Sequence, residues 1–284
     1  MLCKNPYQGL FGCGQCMPCR YNKRRLWTHR IMLEALVHPG SLFVTLTYNK
    51  ESLPEGGTLV PRHLQLFLKR LRKKLSPRTI RYFGVGEYGD ISQRPHYHLA
   101  IFGVTLADRI YIDESWDHGF THAGELNFSS AAYVAGYVTK KLTARDAPGL
   151  NGRNPEFARM SLRPGVGAWA MKAVAEALQC KAGWDQITED GDVPGALRHG
   201  SKVMPLGTYL RRKLREEMGF ENVNGQKEAQ LKASKRVLDL WTDYVSNPEN
   251  TGLTIKEMVM EESRQKILQM ETKAKIFSQS KGLI

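Results

Sequence analysis

"TIRYFGVGEYGDISQRPHYHLAIFG", residues 79–103, reads as two strands joined by one short loop. The first run carries Tyr82, Phe83 and Val85, and the second carries His96, Tyr97, Leu99, Ile101 and Phe102. These β-branched and aromatic runs are separated by a Gly/Asp/Ser segment ending at Pro95, the pattern of adjacent strands at hairpin distance. Upstream, "SLFVTLTYN" (41–49) alternates Phe43, Thr45, Thr47 against Val44, Leu46, Tyr48, a further strand. Between them, residues 62–75 form a basic amphipathic helix with Leu64, Phe67, Leu68, Leu71 and Leu75 on one stripe. Residues 20–37 read as another amphipathic helix, closed by His38-Pro39-Gly40. Downstream, "GFTHAGELNF" is a short strand, and Ser129 or Ser130 is expected to cap the helix "AAYVAGYVTKKLTA". The order predicts an α+β fold: a central antiparallel sheet with flanking helices, packed on one face. Residues 145–167, rich in Gly, Pro and Arg, read as surface loops, and the rest as a mainly helical C-terminal region. This divides the chain into a Cys-rich head with a basic helix (1–40), a central sheet domain (41–148) and a helical part (149–284).

Charge points to the class of partner. Among 284 residues, Lys and Arg number 41 against 28 Asp and Glu, a formal net charge of +13. The cations cluster in "CRYNKRRLWTHR" (19–30), "KRLRKKLSPRTIR" (69–81) and "YLRRKLRE" (209–216). Such an excess favours a polyanion, because neutralising phosphates releases condensed counterions. No run of about 18 apolar residues exists, which argues against a membrane partner. The N-terminus lacks the apolar core of a secretory signal, so a cytoplasmic location is expected. There is no Walker-type phosphate loop, so no ATP-driven helicase is expected within the chain.

Alternate residues of a strand share a face, so the imidazoles of His96 and His98 project together. Two readings are open at this point: satisfied histidines on a sheet face, or metal ligands. Glu87 lies one hairpin back and would sit beside them. Two imidazoles and one carboxylate suit a hard or borderline divalent ion and leave positions for substrate oxygens. On the helix after residue 129, Tyr133 and Tyr137 are four apart and therefore neighbours. At about 100° per residue, Lys140 falls about 20° from Tyr133 and Lys141 about 80° round. Read alone, the tyrosines fit a core face equally well. Together with a metal they form a kit for attacking a phosphodiester, with tyrosine as nucleophile.

"FVTLTYN", "RPHYHLAIFG" and "YVAGYVTKKLT" resemble, in order, the three motifs of rolling-circle replication initiators of the HUH type (His-hydrophobic-His). The paired tyrosines and the opening "CGQCMPCRYNKRRLWTHRIMLE" resemble the two-tyrosine initiators of gokushovirus-type microviruses, small single-stranded-DNA phages. The resemblance covers residues 3–145. It implies an HUH endonuclease fold, RRM- or ferredoxin-like, with His96, His98 and Glu87 binding Mg2+ or Mn2+. It implies that Tyr133 or Tyr137 attacks origin DNA, leaving a 5′-phosphotyrosine and a free 3′-OH for a host polymerase, with unwinding left to a host helicase. The second tyrosine would cut after one circuit, and joining would release a circle. Lys140 and Lys141 would stabilise phenolate or phosphate charge, and the host cytoplasm would be the setting. Tyr97 departs from an aliphatic middle residue and is expected on the opposite, packed face. Two readings compete: a non-catalytic, RRM-like single-strand-binding module and a single-tyrosine HUH transposase. A metallo-β-lactamase-type hydrolase or a cupin lacks its further ligands after His98.

Cys3, Cys13, Cys16 and Cys19 leave three readings open: structural Zn2+, unligated thiols or an iron–sulfur cluster. Cys180 is expected to pack as a small apolar residue.

Overall fold

The computed structural model describes residues 2–6, 12–89, 92–137, 148–220, 235, 238–239, 241–247, 252 and 254–281. The chain forms two compact units. One comprises Arg24–Gly183 and Pro194–Met218, the other Met1–Lys23, Trp184–Val193 and Gly219–Ile284.

The first unit is built on an antiparallel sheet of β1 (Ser41–Tyr48), β2 (Arg81–Tyr88), β3 (Pro95–Phe102), β4 (Gly119–Glu125) and β5 (Phe157–Met160). Its order is β4-β1-β3-β2-β5. The hairpin of the opening stretch is the β2–β3 pair, in the register Glu87↔His96 and Val85↔His98. β1 lies on the other side of β3 with Thr47↔His96 and Thr45↔His98. The fold class is therefore as expected, an α+β sheet flanked by helices with further helices beyond.

Two expectations about the packing are corrected. Helices cover both faces of the sheet, not one. Leu42, Val44, Leu46, Tyr97, Leu99 and Ile101 pack against Leu64, Phe67 and Leu71 of α2 (Pro61–Leu75). On the opposite face Phe83, Val85, Ala100 and Phe102 pack against Ile31 of α1 (Met17–Leu36) and Ala131, Val134 and Ala135 of α4 (Phe128–Gly136). The Phe43-Thr45-Thr47 face of β1, read alone, looks half-solvated. It becomes a core face only through its neighbours across the sheet. The second correction is β5, which lies inside the segment read as surface loop and pairs with β2.

Smaller departures follow the same logic. The cap of α4 is Asn127, whose side chain accepts from Ser130 N at 3.0 Å while Ser130 Oγ accepts from Asn127 N at 2.9 Å. Both serines thus fall inside the helix. A short helix, α3 (Arg109–Asp113), precedes β4. The C-terminal part adds α5 (Ala170–Leu178), α6 (Lys181–Asp190) and α7 (Gly207–Glu217), but also a hairpin of β6 (Ala196–His199) and β7 (Lys202–Pro205). The last helix, α8, spans Ile255–Lys281. Cys180 is exposed rather than packed. None of the helices among the described residues is long and apolar enough to cross a membrane.

Two glycines are required where strands crowd. At Gly119 (φ +147°) an added Cβ would lie 2.3 Å from Asn49 N, because β4 starts pressed against the end of β1. At Gly86 it would lie 2.7 Å from the Phe157 ring, so β5 seats its aromatic where β2 has no side chain.

Tyr97 turns to the α2 face and is wholly buried. Its hydroxyl donates to Val60 O (3.1 Å), accepts from Val60 N (2.9 Å) and meets the Tyr48 hydroxyl at 2.7 Å. Tyr97→Phe strands the Val60 amide and one lone pair of Tyr48. Urea unfolding is expected to show a loss of about 1–3 kcal/mol, the cost of leaving a buried donor unmet.

Candidate active site

Strand alternation sends Thr45, Thr47, His96, His98, Val85 and Glu87 to the face opposite α2, and the α4 tyrosines descend on them. Glu87 and His98 are nearly buried, at 4% and 6% exposure. His98 Nε2 lies 2.9 Å from Glu87 Oε1, and its Nδ1 lies 3.0 Å from Thr45 Oγ1. That Thr45 contact fixes the ring and leaves Nε2 as the nitrogen facing the site, the usual role of an outer-shell partner. The His98 ring is also stacked with Phe43, centroids 5.8 Å apart and 9° between planes.

Tyr133 and Tyr137 both reach this histidine. Tyr137 stacks on His98 at 5.4 Å and 10°, and Tyr133 meets it edge-on at 5.2 Å and 82°. The two phenol rings are 5.0 Å apart. They are chemically unlike. Tyr133 is 44% exposed. The phenol of Tyr137 is pushed up, first by burial and then by its hydrogen bond to Tyr133 and the charge and hydrogen bond of Glu87. Arg24 of α1, exposed, donates to Ala132 O at 2.8 Å and so holds a cation against the tyrosine helix.

The donor set of His96, His98 and Glu87 fits a divalent cation. The 2.9 Å between His98 Nε2 and Glu87 Oε1 is close to the edge of an octahedron with ~2.1 Å bonds, roughly 3 Å. His96 stands further out, its ring centroid 6.3 Å from that of His98. A Cβ at Gly89 would lie 3.2 Å from His96 Nε2, so glycine there leaves the imidazole room. Among the described residues, only Cys3, Cys13, Cys16 and Cys19 already bring three or more ligand atoms within 4.8 Å of one another.

Most of the residues singled out from the sequence thus meet at one end of the sheet face: Glu87, His96, His98, Tyr133 and Tyr137. Lys140 and Lys141 lie outside the described residues. The cysteines form a separate cluster in the other compact unit. Three contributors escape the sequence reading: Thr45, Phe43 and Arg24. The first two are visible there only as the alternation of β1, and their register against His98 spans more than fifty residues. Beyond Thr45 on the same face come exposed His122 and, beside Thr47, Phe120, 68% exposed.

Comparison with known proteins follows this geometry. Residues 41–142 match the family model of the replication-associated protein ORF2. The replication-associated protein ORF2 of Spiroplasma virus 4 is 33% identical over 269 residues, 84% of this chain and 80% of that protein. The replication-associated protein VP4 of Bdellovibrio phage phiMH2K is 35% identical over 154 residues, covering 46% of this chain and 49% of the relative. The replication-associated protein ORF4 of Chlamydia phage 1 is 28% identical over 151 residues, covering 45% and 38%. No solved structure matches.

Proposed function

This chain belongs to the replication-associated proteins of microvirus-type phages, with a role in phage genome replication, and from that premise we propose that it is the nuclease that starts rolling-circle replication. It nicks one strand at the origin through a tyrosine, keeps the 5′ end as a phosphotyrosine, and later transfers it to release a circle. The observation that carries this reading is the meeting of both tyrosine rings on His98, itself tied to Glu87.

A Mg2+ or Mn2+ ion held by His96, His98 and Glu87 would polarise the scissile phosphate. The phenol oxygen of one tyrosine bonds to phosphorus, the bond to the 3′ oxygen breaks, and the proton given up by the phenol is balanced by the one the 3′ oxygen gains. One phosphoester replaces another, so the reverse attack by a 3′-OH rejoins DNA without ATP. The second tyrosine repeats the attack on the regenerated origin. Arg24, and in our reading Lys140 and Lys141, offset the charge that builds on phosphate and phenolate. Exposed Phe120, on the same face as His96, offers a surface on which an unpaired base can stack. The net charge of +13 supports a DNA partner. In this scheme a host polymerase extends the 3′-OH and a host helicase opens the duplex, in the cytoplasm of the infected cell.

The test uses a labelled single-stranded origin oligonucleotide with Mn2+. An SDS-stable protein–DNA adduct is expected, and EDTA is expected to prevent it while leaving charge-driven binding in place. Binding with no adduct at any metal concentration overturns the nuclease reading in favour of an RRM-like binding module.

A further inference from the structure

The nicking site leaves one constellation unused, at the other compact unit. Cys3, Cys13, Cys16 and Cys19 place their sulfur atoms all within 4.8 Å of one another. Cys3 Sγ and Cys16 Sγ are 3.8 Å apart. Four thiolates around one ion with bonds of about 2.3 Å stand at the corners of a tetrahedron with edges of about 3.8 Å. A disulfide needs about 2.05 Å, and all four are free thiols. An iron–sulfur cluster holds its cysteines further apart, because several irons and sulfides lie between them.

The backbone is arranged for sulfur that carries charge. Cys13 N donates to Cys3 Sγ at 3.2 Å, Cys16 N to Cys13 Sγ at 3.4 Å, and Lys4 N to Cys16 Sγ at 3.5 Å. Bonds from amides favour thiolate over thiol. Cys16 and Cys19 also straddle the start of α1, where Arg20 N donates to Cys16 O at 3.0 Å, and a helix N-terminus favours negative charge.

We propose that Cys3, Cys13, Cys16 and Cys19 bind one Zn2+ ion in a tetrahedral, all-thiolate structural site. Its role is to close the start of the chain onto the first turn of α1. The need is physical. Among the described residues, the buried apolar side chains of this unit are Cys3, Ile187, Val193, Met258 and Ile267. That is a thin core, and small units with thin cores are the ones that rely on metal or cross-links. Cys3 also lines a groove with Met260, Ile267 and Leu268 of α8, so fixing Cys3 fixes the N-terminal segment on that helix.

The full chain, purified without chelator, is expected to carry zinc that survives in His98→Ala and Cys180→Ser but falls at least tenfold in Cys16→Ser. Because Cys16→Ser alone could misfold, the unsubstituted protein gives the second readout. After stripping and reloading with Co2+, intense thiolate-to-cobalt charge-transfer absorption is expected, together with the visible bands of a tetrahedral site. Chelation is expected to expose residues 1–23 to protease. Zinc lost in His98→Ala but kept in Cys16→Ser, an iron chromophore in the purified protein, or no thiolate absorption with Co2+ each overturns the assignment.

Discussion

Tyr133→Phe combined with Tyr137→Phe is expected to abolish the covalent DNA adduct, by roughly 10³-fold or more, while origin binding holds. Phenylalanine keeps the rings that meet His98 and removes only the two hydroxyls, so the packing of α4 on the sheet survives. Denaturing gels of labelled oligonucleotide measure the adduct, and fluorescence anisotropy measures binding. An adduct in the double variant would sink the assignment of nucleophiles. The single variants are expected to differ. Tyr133 is 44% exposed and reaches incoming DNA first. Tyr137 is burdened by burial and by the Glu87 carboxylate, which hold its phenol protonated. Tyr133→Phe should therefore lose the first cut. Tyr137→Phe should make the first adduct yet fail to release circles.

The second large effect concerns stability. Glu34 of α1 is fully buried, and its carboxylate accepts from Arg81 Nε, from Gly167 N at 2.5 Å and shares a 3.2 Å contact with His38 Nε2. Arg81, 5% exposed, also donates to Pro164 O at 2.6 Å. One carboxylate thus joins α1, the start of β2 and the 163–167 turn. Glu34→Ala leaves a buried guanidinium without its anion and is expected to cost about 3–5 kcal/mol in urea unfolding. Replacing Glu34 and Arg81 together with methionine should recover much of it, since a buried pair offsets little beyond its own desolvation. The pH dependence has a definite sign. Burial raises the Glu34 carboxyl, but the bonds from His38, Gly167 and Arg81 outweigh it and hold the group below its ordinary range. Its contribution is then complete above the unfolded value of about 4.3 and is lost as pH falls through the lower folded value. Unfolding curves below pH about 5 should steepen in the natural protein and flatten in Glu34→Gln. Equal acid sensitivity in both would show that another carboxylate governs.

Legibility followed the range of the interaction. A period of two placed His96 and His98 on one face, and a loop of hairpin length brought Glu87 into register with His96. A spacing of four placed Tyr133 beside Tyr137. These need only local geometry. Other features depended on partners far along the chain. β5 is four residues with too little alternation to be seen, and it exists because β2 offers an edge some seventy residues earlier. The cap at Asn127 escapes the sequence because Ser129 and Ser130 read equally well until the first helical turn is located.

The sequence by itself determined the antiparallel sheet, the shared face of the two histidines, the paired tyrosines and the cysteine spacing, because period and turn chemistry are local. Only the tertiary structure decided that helices cover both faces, because a core face is completed by strands distant in sequence. It alone decided that the Glu87 carboxylate reaches diagonally to His98, two residues along β3 from its register partner His96. It decided too that Thr45 orients His98 and that one tyrosine is exposed while the other is held down by a carboxylate. Side-chain distance and burial are set by packing, and no spacing along one strand encodes them.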